Sequence, residues 1–239
     1  GEFQNNSKVL FGYAYDHPKM LPLREIFTHA TTVYCYRLGS GAVKASNTLA
    51  TAKYGGVKGN DITIVVAANV DEPDLWDVTT YVDGVAADTQ TVEDAEALVS
   101  NDWVDFKTEA TLSASAGMPL TNGADATTIN GEAHQAFLDK IEPYAYNALC
   151  CPASDATTVR LYQQFCSRVR DEVGSKFQLV AWQPSTADYE GIIGVWNTVT
   201  HPTIASVPTH SLVYWVAGAE AGCAVNKSLT NFKYDGELT

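Results

Sequence analysis

The sequence lacks the short motifs that mark common nucleotide-binding and hydrolytic enzymes. No G-x-G-x-x-G or G-x-S-x-G pattern occurs in its 239 residues, which excludes a dinucleotide-binding turn and a serine nucleophile elbow. The glycine-rich residues 55–60 lack the Lys-Ser/Thr pair that completes a phosphate-binding loop. The five histidines form no H-x-H or H-x-x-x-H pair, so no zinc site is predicted. We therefore predict no catalytic residue, no cofactor and no metal ion.

Basic residues are scarce. The chain has 15 Lys and Arg against 28 Asp and Glu, a formal net charge of −13, and residues 59–106 contain no Lys or Arg at all. This excludes a nucleic-acid groove and an anionic-membrane surface, because both need basic patches. A solvated acidic surface explains the acids of that stretch, while Asp71-Glu72-Pro73-Asp74 lacks the spacing and the glycine of a calcium loop.

Long apolar runs are also missing. The longest, residues 211–225, is interrupted by Glu220 and is too short to cross a bilayer, so no membrane insertion is predicted. The same run is rich in Ala and Gly, which predicts close backbone packing against a neighbouring element.

Five cysteines, an odd number, occur without any C-x-x-C pair. Buried free thiols made in a reducing cytoplasm are the simplest interpretation. Cys150 and Cys151 end an apolar run, where burial should raise the thiol pKa and oppose nucleophilic catalysis. A cysteine nucleophile stays open as an alternative, since strand ends in α/β sheets host active sites.

Helix and strand patterns alternate in the first segment and in the second half of the chain. Residues 21–30 are typical of a helix and residues 31–38 (TTVYCYRL) of a buried strand. Helix 131–142, strand 146–151, a helix capped by Ser154 or Asp155 and strand 177–182 then follow. The second helix should present the stripe Leu161, Phe165, Val169 and Val173, with Tyr162 and Cys166 beside it. This alternation predicts a parallel sheet between helices.

The stretch between these regions has a different pattern. It contains strand-like runs at 62–66, 76–82 and 103–106, a hairpin turn at Asp83-Gly84, and a short helix from Thr91 to Leu98. We predict an α/β fold with an inserted antiparallel β-sandwich-like domain. The domains are residues 4–42 with 120–239 and an inserted region at 43–119, and residues 1–3 have the sequence of a cloning-vector remnant.

Several stretches resemble motifs of one protein family, and they occur in the same order as in that family. They include LPLRE (21–25), ATTVYCYRL (30–38), AKYGGVKGNDI (52–62), VAADTQTV (85–92), NDWV (101–104), LTNG (120–123), ADYEG (187–191), WVAG (215–218) with Ala221-Gly222, NKSLT (226–230) and YDG (234–236). Together they resemble the tail sheath family of contractile phages, R-type bacteriocins and defective prophage particles. The motif positions singled out are Arg24, Glu25, Tyr54, Gly55, Gly59, Asn60, Asp61, Asn101, Trp215, Gly218, Gly222, Tyr234 and Gly236.

The resemblance implies a non-catalytic, subtilisin-like body with an inserted β-sandwich, and a structural subunit of a contractile sheath. Such a subunit polymerises helically around the tail tube, contacts baseplate proteins, and is made in the host bacterial cytoplasm for a virion tail or tail-like particle. Family members are longer at both ends and exchange strands between subunits, so this chain alone is expected to be monomeric. A cytosolic α/β hydrolase or ligand-binding protein with a β-rich lid is the alternative. It requires a deep pocket with Ser or Cys beside His.

Overall fold

A computed structural model describes residues 1–185, 188–234 and 236–238. The chain divides into two compact units. Gly1–Lys8, Tyr13–Leu38 and Asn130–Thr239 form one, called here the α/β unit, while Val9–Gly12 and Gly39–Ile129 form the other, called the β unit. The region 43–119, predicted as an insertion, lies inside the β unit.

The β unit contains two antiparallel sheets around one apolar core. Its strands are β1 (Ala50–Ala52), β2 (Ile62–Ala68), β3 (Trp76–Val82), β4 (Val85–Val92), β5 (Val104–Phe106) and β6 (Ser115–Pro119). One sheet has the order β4-β3-β2-β6 and the other pairs β1 with β5. Alternate residues of β2, namely Ile62, Ile64 and Val66, are buried, as the period of a strand with one solvent-facing side requires. The three predicted strands are therefore confirmed.

The hairpin between β3 and β4 is the predicted one. Asp83 and Gly84 have φ angles of 53° and 75° and connect Val82 to its partner Val85, as in a type I′ turn. A β-bulge interrupts the ladder between Thr80 and Tyr81, which bends the strand and strengthens its local twist.

The predicted helix from Thr91 to Leu98 is wrong. Strand β4 continues through Thr91 to Val92, and the Thr91 hydroxyl donates to Asp77 Oδ1 at 2.6 Å on the neighbouring strand. The Asp94 carboxylate accepts from the backbone N–H groups of Glu96 and Ala97. This side chain therefore closes a turn, the role in which Asp competes with helix formation.

The α/β unit combines helices with a parallel sheet. Its elements are α1 (Glu2–Phe11, which continues into the β unit), α2 (Leu21–Phe27), α3 (Gly131–Ile141), β7 (Ala148–Cys150), α4 (Ala156–Arg168), β8 (Gln178–Trp182), β9 (Ile192–Val195), β10 (Val199–Thr200), α5 (Leu212–Gly222) and β11 (Glu237–Leu238). Strands β7, β8 and β9 pair in parallel in that order, so the predicted parallel sheet is confirmed. Phe3 of α1 stacks on Phe27 with ring centroids 4.7 Å apart; its origin as a vector remnant stays a prediction.

Side-chain caps begin two helices, and one of them, Asp155, is a cap that the sequence offers. Asn130 and Asp155 accept from the backbone N–H groups of Ala133 and Thr158 at the starts of α3 and α4, which satisfies groups that a helix start leaves free. A π-turn (Val169–Val173) follows α4 and ends at Gly174, whose φ is 85°.

The predicted apolar stripe of α4 is only partly right. Phe165 and Val169 are buried, as are Tyr162 and Cys166 beside the stripe. Leu161, however, is only partly buried, and Val173 is 60% exposed. The π-turn explains the exposure of Val173, because its wider turn changes the phase of the side chains at its end.

The predicted strand at 31–38 is also wrong in this structure. These residues join no strand, and two of their aromatic side chains lie against α3 and the residues just after it. Tyr34 contacts Tyr144 and Tyr36 contacts Phe137, with ring centroids 5.3 and 5.7 Å apart. β propensity alone does not make a strand, because a neighbouring strand must also provide the backbone hydrogen bonds.

Candidate functional site

The described residues hold no cluster typical of a metal centre. No group of three or more His, Cys, Asp or Glu side chains converges within residues 1–185, 188–234 and 236–238. In the same part of the chain, no helix has the length and apolarity to cross a membrane.

The cysteines at the end of β7 are poorly suited to nucleophilic chemistry. Burial raises the pKa of the Cys151 thiol to about 12 and that of Cys166 to about 11, and it raises the pKa of Cys150 well above its ordinary value. The thiolate is the nucleophile, so raised pKa values disfavour nucleophilic attack by these three side chains at neutral pH.

Two clefts of the α/β unit lack the grouping that a hydrolase would need. One, of about 660 Å³, includes Ser167 in its wall; the other, of about 600 Å³, includes Cys150 and Ser175. Neither wall, as far as the structure describes it, contains a histidine. A Ser or Cys nucleophile in either cleft would therefore have no imidazole base beside it.

One buried histidine does have a specific partner. His134 is 6% exposed, and its Nδ1 lies 3.0 Å from the hydroxyl of the fully buried Tyr162. Burial lowers the pKa of His134, and nearby Asp155 opposes that shift. The pair satisfies two polar groups inside the core, which is a structural role.

The His134 environment predicts acid sensitivity. A folded-state pKa below the ordinary value of about 6.5 means that the unfolded chain binds the proton first, so stability should decrease as pH falls through 6.5. His134→Gln, which does not titrate, should reduce this slope by at most about 1.4 kcal/mol per pH unit. His201 and His210 also have lowered pKa values, so the variant should keep part of the pH dependence of stability. Urea titrations between pH 7 and 5 test this; equal slopes for the two proteins would contradict it.

The motif residues 52–62 form a closely packed loop in the β unit. A Cβ on Gly55 would lie 2.6 Å from the Ala42 carbonyl oxygen, and one on Gly59 would lie 2.9 Å from Ala45 Cβ. Asn60 accepts from the N–H of Gly123 at 2.8 Å and donates to its carbonyl at 2.9 Å. The loop therefore depends on small residues and on the pair of hydrogen bonds between the Asn60 side chain and the Gly123 backbone. The motif residue Tyr54 is 65% exposed.

Lys58 lies between two carboxylates of the same unit. Its Nζ is 3.0 Å from Asp61 Oδ2 and 2.5 Å from Asp83 Oδ1 at the hairpin turn. The motif residue Asp61 thus helps to attach the loop to the β3–β4 hairpin. Because these groups are partly exposed, the contact contributes little stability and weakens with salt.

Asn101 joins three strands of the β unit. Its Oδ1 accepts from the N–H groups of Trp103 and Val104, both at 2.9 Å. Its Nδ2 donates to Thr80 Oγ1 and Asp88 Oδ2, both at 3.0 Å. One side chain thereby holds the start of β5 against β3 and β4.

Two motif glycines allow α5 to contact the end of α2. A Cβ on Gly218 would lie 2.8 Å from Ile26 Cα and nearer still to the Ile26 carbonyl oxygen. A Cβ on Gly222 would lie 2.9 Å from the carbonyl carbon of His29. The predicted close backbone packing of the Ala- and Gly-rich segment is therefore confirmed.

The remaining motif residues of the α/β unit surround this contact. Arg24 and Glu25 lie on α2, and the Arg24 guanidinium stands 5.8 Å from the Tyr15 ring. Trp215 of α5 packs edge-on against His29 and Tyr234. Gly236 lies beside the Tyr234 ring, whereas Asp235 lies outside the described residues.

Sequence reasoning missed Arg170. It is 6% exposed, donates to the Phe177 carbonyl and to Glu190 Oε1, and packs against Gly191, where a Cβ would lie 2.5 Å from its Cδ. The guanidinium thus contacts Glu190 and Gly191 of the ADYEG motif, whereas Ala187 of that motif lies outside the described residues. A charged residue in a helical pattern predicts a solvated face, so no local signal identifies it.

Family models match both parts of the chain. Residues 38–125 match the phage tail sheath protein β-sandwich domain, and residues 127–239 match the phage tail sheath protein central domain.

Curated relatives come from Bacillus subtilis (strain 168). The phage-like element PBSX protein XkdK is 37% identical over 257 residues, covering 98% of this chain and 54% of the relative. The uncharacterized protein YqbK is 36% identical with the same coverage. The chain therefore spans about half the length of the curated relatives it matches.

Solved structures share the fold. The sheath tail protein of Listeria innocua has a TM-score of 0.86 and 39% identity, over 98% of this chain and 54% of that one. The sheath tail protein of Desulfitobacterium hafniense has a TM-score of 0.84 and 36% identity, over 91% and 53%. With both sheath domain models matched in order and the motif residues packed within their own units, this chain belongs to the phage tail sheath protein family.

Proposed function

We propose that this chain is the body of a structural subunit of a contractile tail sheath. The longer protein polymerises helically around a tail tube, joins a baseplate, and contracts to drive the tube through a cell envelope. Its place is a virion tail or tail-like particle, after synthesis in the bacterial cytoplasm. The consecutive match to two sheath domains supports this proposal above all. No role for a cofactor, metal ion, nucleic acid or membrane is proposed.

Further architectural assignments belong to the same proposal. We assign a subtilisin-like arrangement to the α/β body, with which parallel strands β7 to β9 between helices are compatible. We also keep domain limits of 4–42 with 120–239 for this body and 43–119 for the insertion. The thirteen motif positions act in folding rather than in chemistry, as their contacts within each unit suggest.

The hydrolase alternative receives no specific support. Its best candidates are Cys150 and Cys151 at the end of β7, and burial raises the pKa of both. Under the sheath proposal, Cys150→Ser and His134→Gln change stability at most. Ester or peptide hydrolysis that disappeared in either variant would contradict it.

Electron microscopy tests the proposal. A protein of the full length of the curated relatives, containing this chain, should form tubes of regular diameter in negative stain. The 239-residue chain, prepared alongside at equal concentration, is the control and should show none. Compact single particles from the longer protein at every salt concentration would refute helical assembly.

The chain alone should be a monomer in dilute solution. Strand exchange between subunits, which the family resemblance implies, obtains its strength from backbone pairing, and the chain spans only about half of its relatives. Its net charge of −13 adds repulsion that salt screens. Light scattering at micromolar concentration across a salt series should report about one chain mass throughout. A stable oligomer at low salt would show that this body carries the main interface.

A further inference from the structure

The turn that contains Asn122 and Gly123 has narrow requirements. Asn122 is exposed, and its φ of 65° lies in the left-handed region, which Asn tolerates better than most residues do. A Cβ on Gly123 would lie 2.5 Å from the Gly56 carbonyl oxygen and 2.9 Å from Ala45 Cβ. The backbone therefore requires glycine at position 123 and favours Asn or Gly at position 122.

An Asn-Gly pair is open to deamidation in water. The glycine nitrogen loses its proton and bonds to Cγ of the Asn side chain, an approach that no Cβ on glycine obstructs. The bond from Cγ to the side-chain nitrogen breaks, and that nitrogen takes a proton from solvent and leaves as ammonia. Water then opens the resulting succinimide ring at one of its two carbonyl carbons, which leaves Asp or isoaspartate. Overall, the chain gains one water molecule and loses one ammonia, without any oxidant or reductant.

Asn60 holds both backbone groups of Gly123. Its Oδ1 accepts from the Gly123 N–H at 2.8 Å, and its Nδ2 donates to the Gly123 carbonyl oxygen at 2.9 Å. The first bond keeps from water the proton whose loss begins the reaction. The second bond holds the residue in place, so a movement of its nitrogen toward Cγ of Asn122 strains both bonds.

The residues on either side of the pair are also held. Thr121 exchanges two backbone hydrogen bonds with Ser46, at 2.9 and 3.1 Å, and Ala124 exchanges two with Val43, at 2.8 and 3.1 Å. Ring closure requires a rotation about the Cα–C bond of Asn122, and the paired neighbours resist it. Reaction in the folded chain therefore requires a local opening of this turn.

We propose that Asn122 is a site of spontaneous deamidation that Asn60 keeps closed while the β unit is folded. Water is the only co-reactant, and Asn60 is a positioning residue because it acts through the Gly123 backbone. Isoaspartate would lengthen the main chain by one carbon, for which the close packing of Gly123 leaves no room. The contact between Asn60 and Gly123 would then be lost. The inference does not depend on the sheath function proposed above.

Peptide mapping by mass spectrometry measures the rate of deamidation at Asn122 in the 239-residue chain at pH 8 and 37 °C. Asn60→Ala, which removes both hydrogen bonds to Gly123, should react at Asn122 at least ten times faster than the unsubstituted chain. A tenfold factor corresponds to about 1.4 kcal/mol, which is within the net contribution of two hydrogen bonds. Rates that agree within a factor of about two would overturn the proposal.

Two controls separate the loss of this contact from a general loss of stability. Asn130-Gly131 is the other Asn-Gly pair of the sequence and lies at the start of α3, outside the β unit, so its rate in the same digests should not change. Asn101→Ala removes hydrogen bonds elsewhere in the β unit and is compared with Asn60→Ala in urea concentrations that give equal folded fractions. Equal acceleration at Asn122 in the two variants would overturn the proposal, because unfolding alone would then open the site.

The unsubstituted chain supplies a measurement that needs no variant. Base-catalysed hydrogen exchange begins with loss of the same N–H proton, so the Gly123 amide should exchange at least ten times more slowly in the folded chain than in the urea-unfolded chain. Deamidation at Asn122 should be slowed at least tenfold by folding as well. A Gly123 amide that exchanges at the unfolded rate, or an Asn122 that deamidates at the unfolded rate, would contradict the protective role of Asn60.

Discussion

Replacing Gly218 with alanine should lower the free energy of unfolding of the α/β unit by about 2 to 3 kcal/mol. The new Cβ would lie 2.8 Å from Ile26 Cα, well inside van der Waals distance. The obstacle is backbone rather than a flexible side chain, so α2 and α5 must move apart. Separation would also disturb the Trp215 packing against His29.

Gly131→Ala is the matched control for this substitution. Gly131 starts α3, and a Cβ there would meet nothing within 4 Å. Alanine is the better helix former, so this variant should be neutral or up to about 1 kcal/mol more stable. Urea unfolding followed by circular dichroism compares the two. Equal stabilities of Gly218→Ala and Gly131→Ala would show that the contact between α2 and α5 is not tightly packed in solution.

This helix contact shows what the sequence could and could not reveal. The run of Ala and Gly in 211–225 predicts a close approach, and the structure has one. The identity of the partner, α2, depends on residues nearly 200 positions away and has no local signal. Local patterns likewise identify the Asp83-Gly84 turn and the cap of α4, for which the sequence offers Ser154 or Asp155, because each depends on a few neighbouring residues.

The errors have a common physical cause. Residues 31–38 have strand propensity, yet they join no strand, and two of their tyrosines pack on Phe137 of α3 and on Tyr144 just after it. Thr91 has the chemistry of a helix cap, yet its hydroxyl binds Asp77 on the next strand. Arg170 has the charge of a surface residue and is buried. In each case a partner distant in sequence decides the outcome.

Asn101→Ala should destabilise the β unit by about 2 to 4 kcal/mol. The substitution removes the acceptor of two backbone N–H groups, at Trp103 and Val104, and the donor to Thr80 and Asp88. Thr80 is fully buried, and a buried polar group left without its partner carries the full cost of desolvation. The connection of β5 to β3 and β4 is lost at the same time.

Two further variants isolate the cause. Asn101→Asp keeps the acceptor but replaces the donor with a second carboxylate beside Asp88, so it should also be destabilising, and less so at low pH. Asn122→Gly is the neutral control, because Asn122 is exposed and has a φ of 65° that glycine adopts freely. Stability of Asn101→Ala within about 0.5 kcal/mol of the control would show that water replaces these hydrogen bonds at little cost.

The bulge between Thr80 and Tyr81 has a consequence for solubility. Strand β4 is the last strand of its sheet, and a long regular terminal strand would act as a template for uncontrolled fibre growth. The bulge leaves Ala87 outside the ladder, and Asp88, the next residue, has a carboxylate that accepts a hydrogen bond from Asn101. A neighbouring strand approaching β4 would meet an irregular spacing and a charge. The bulge and the charge should therefore oppose the addition of a further strand to the edge of the β unit.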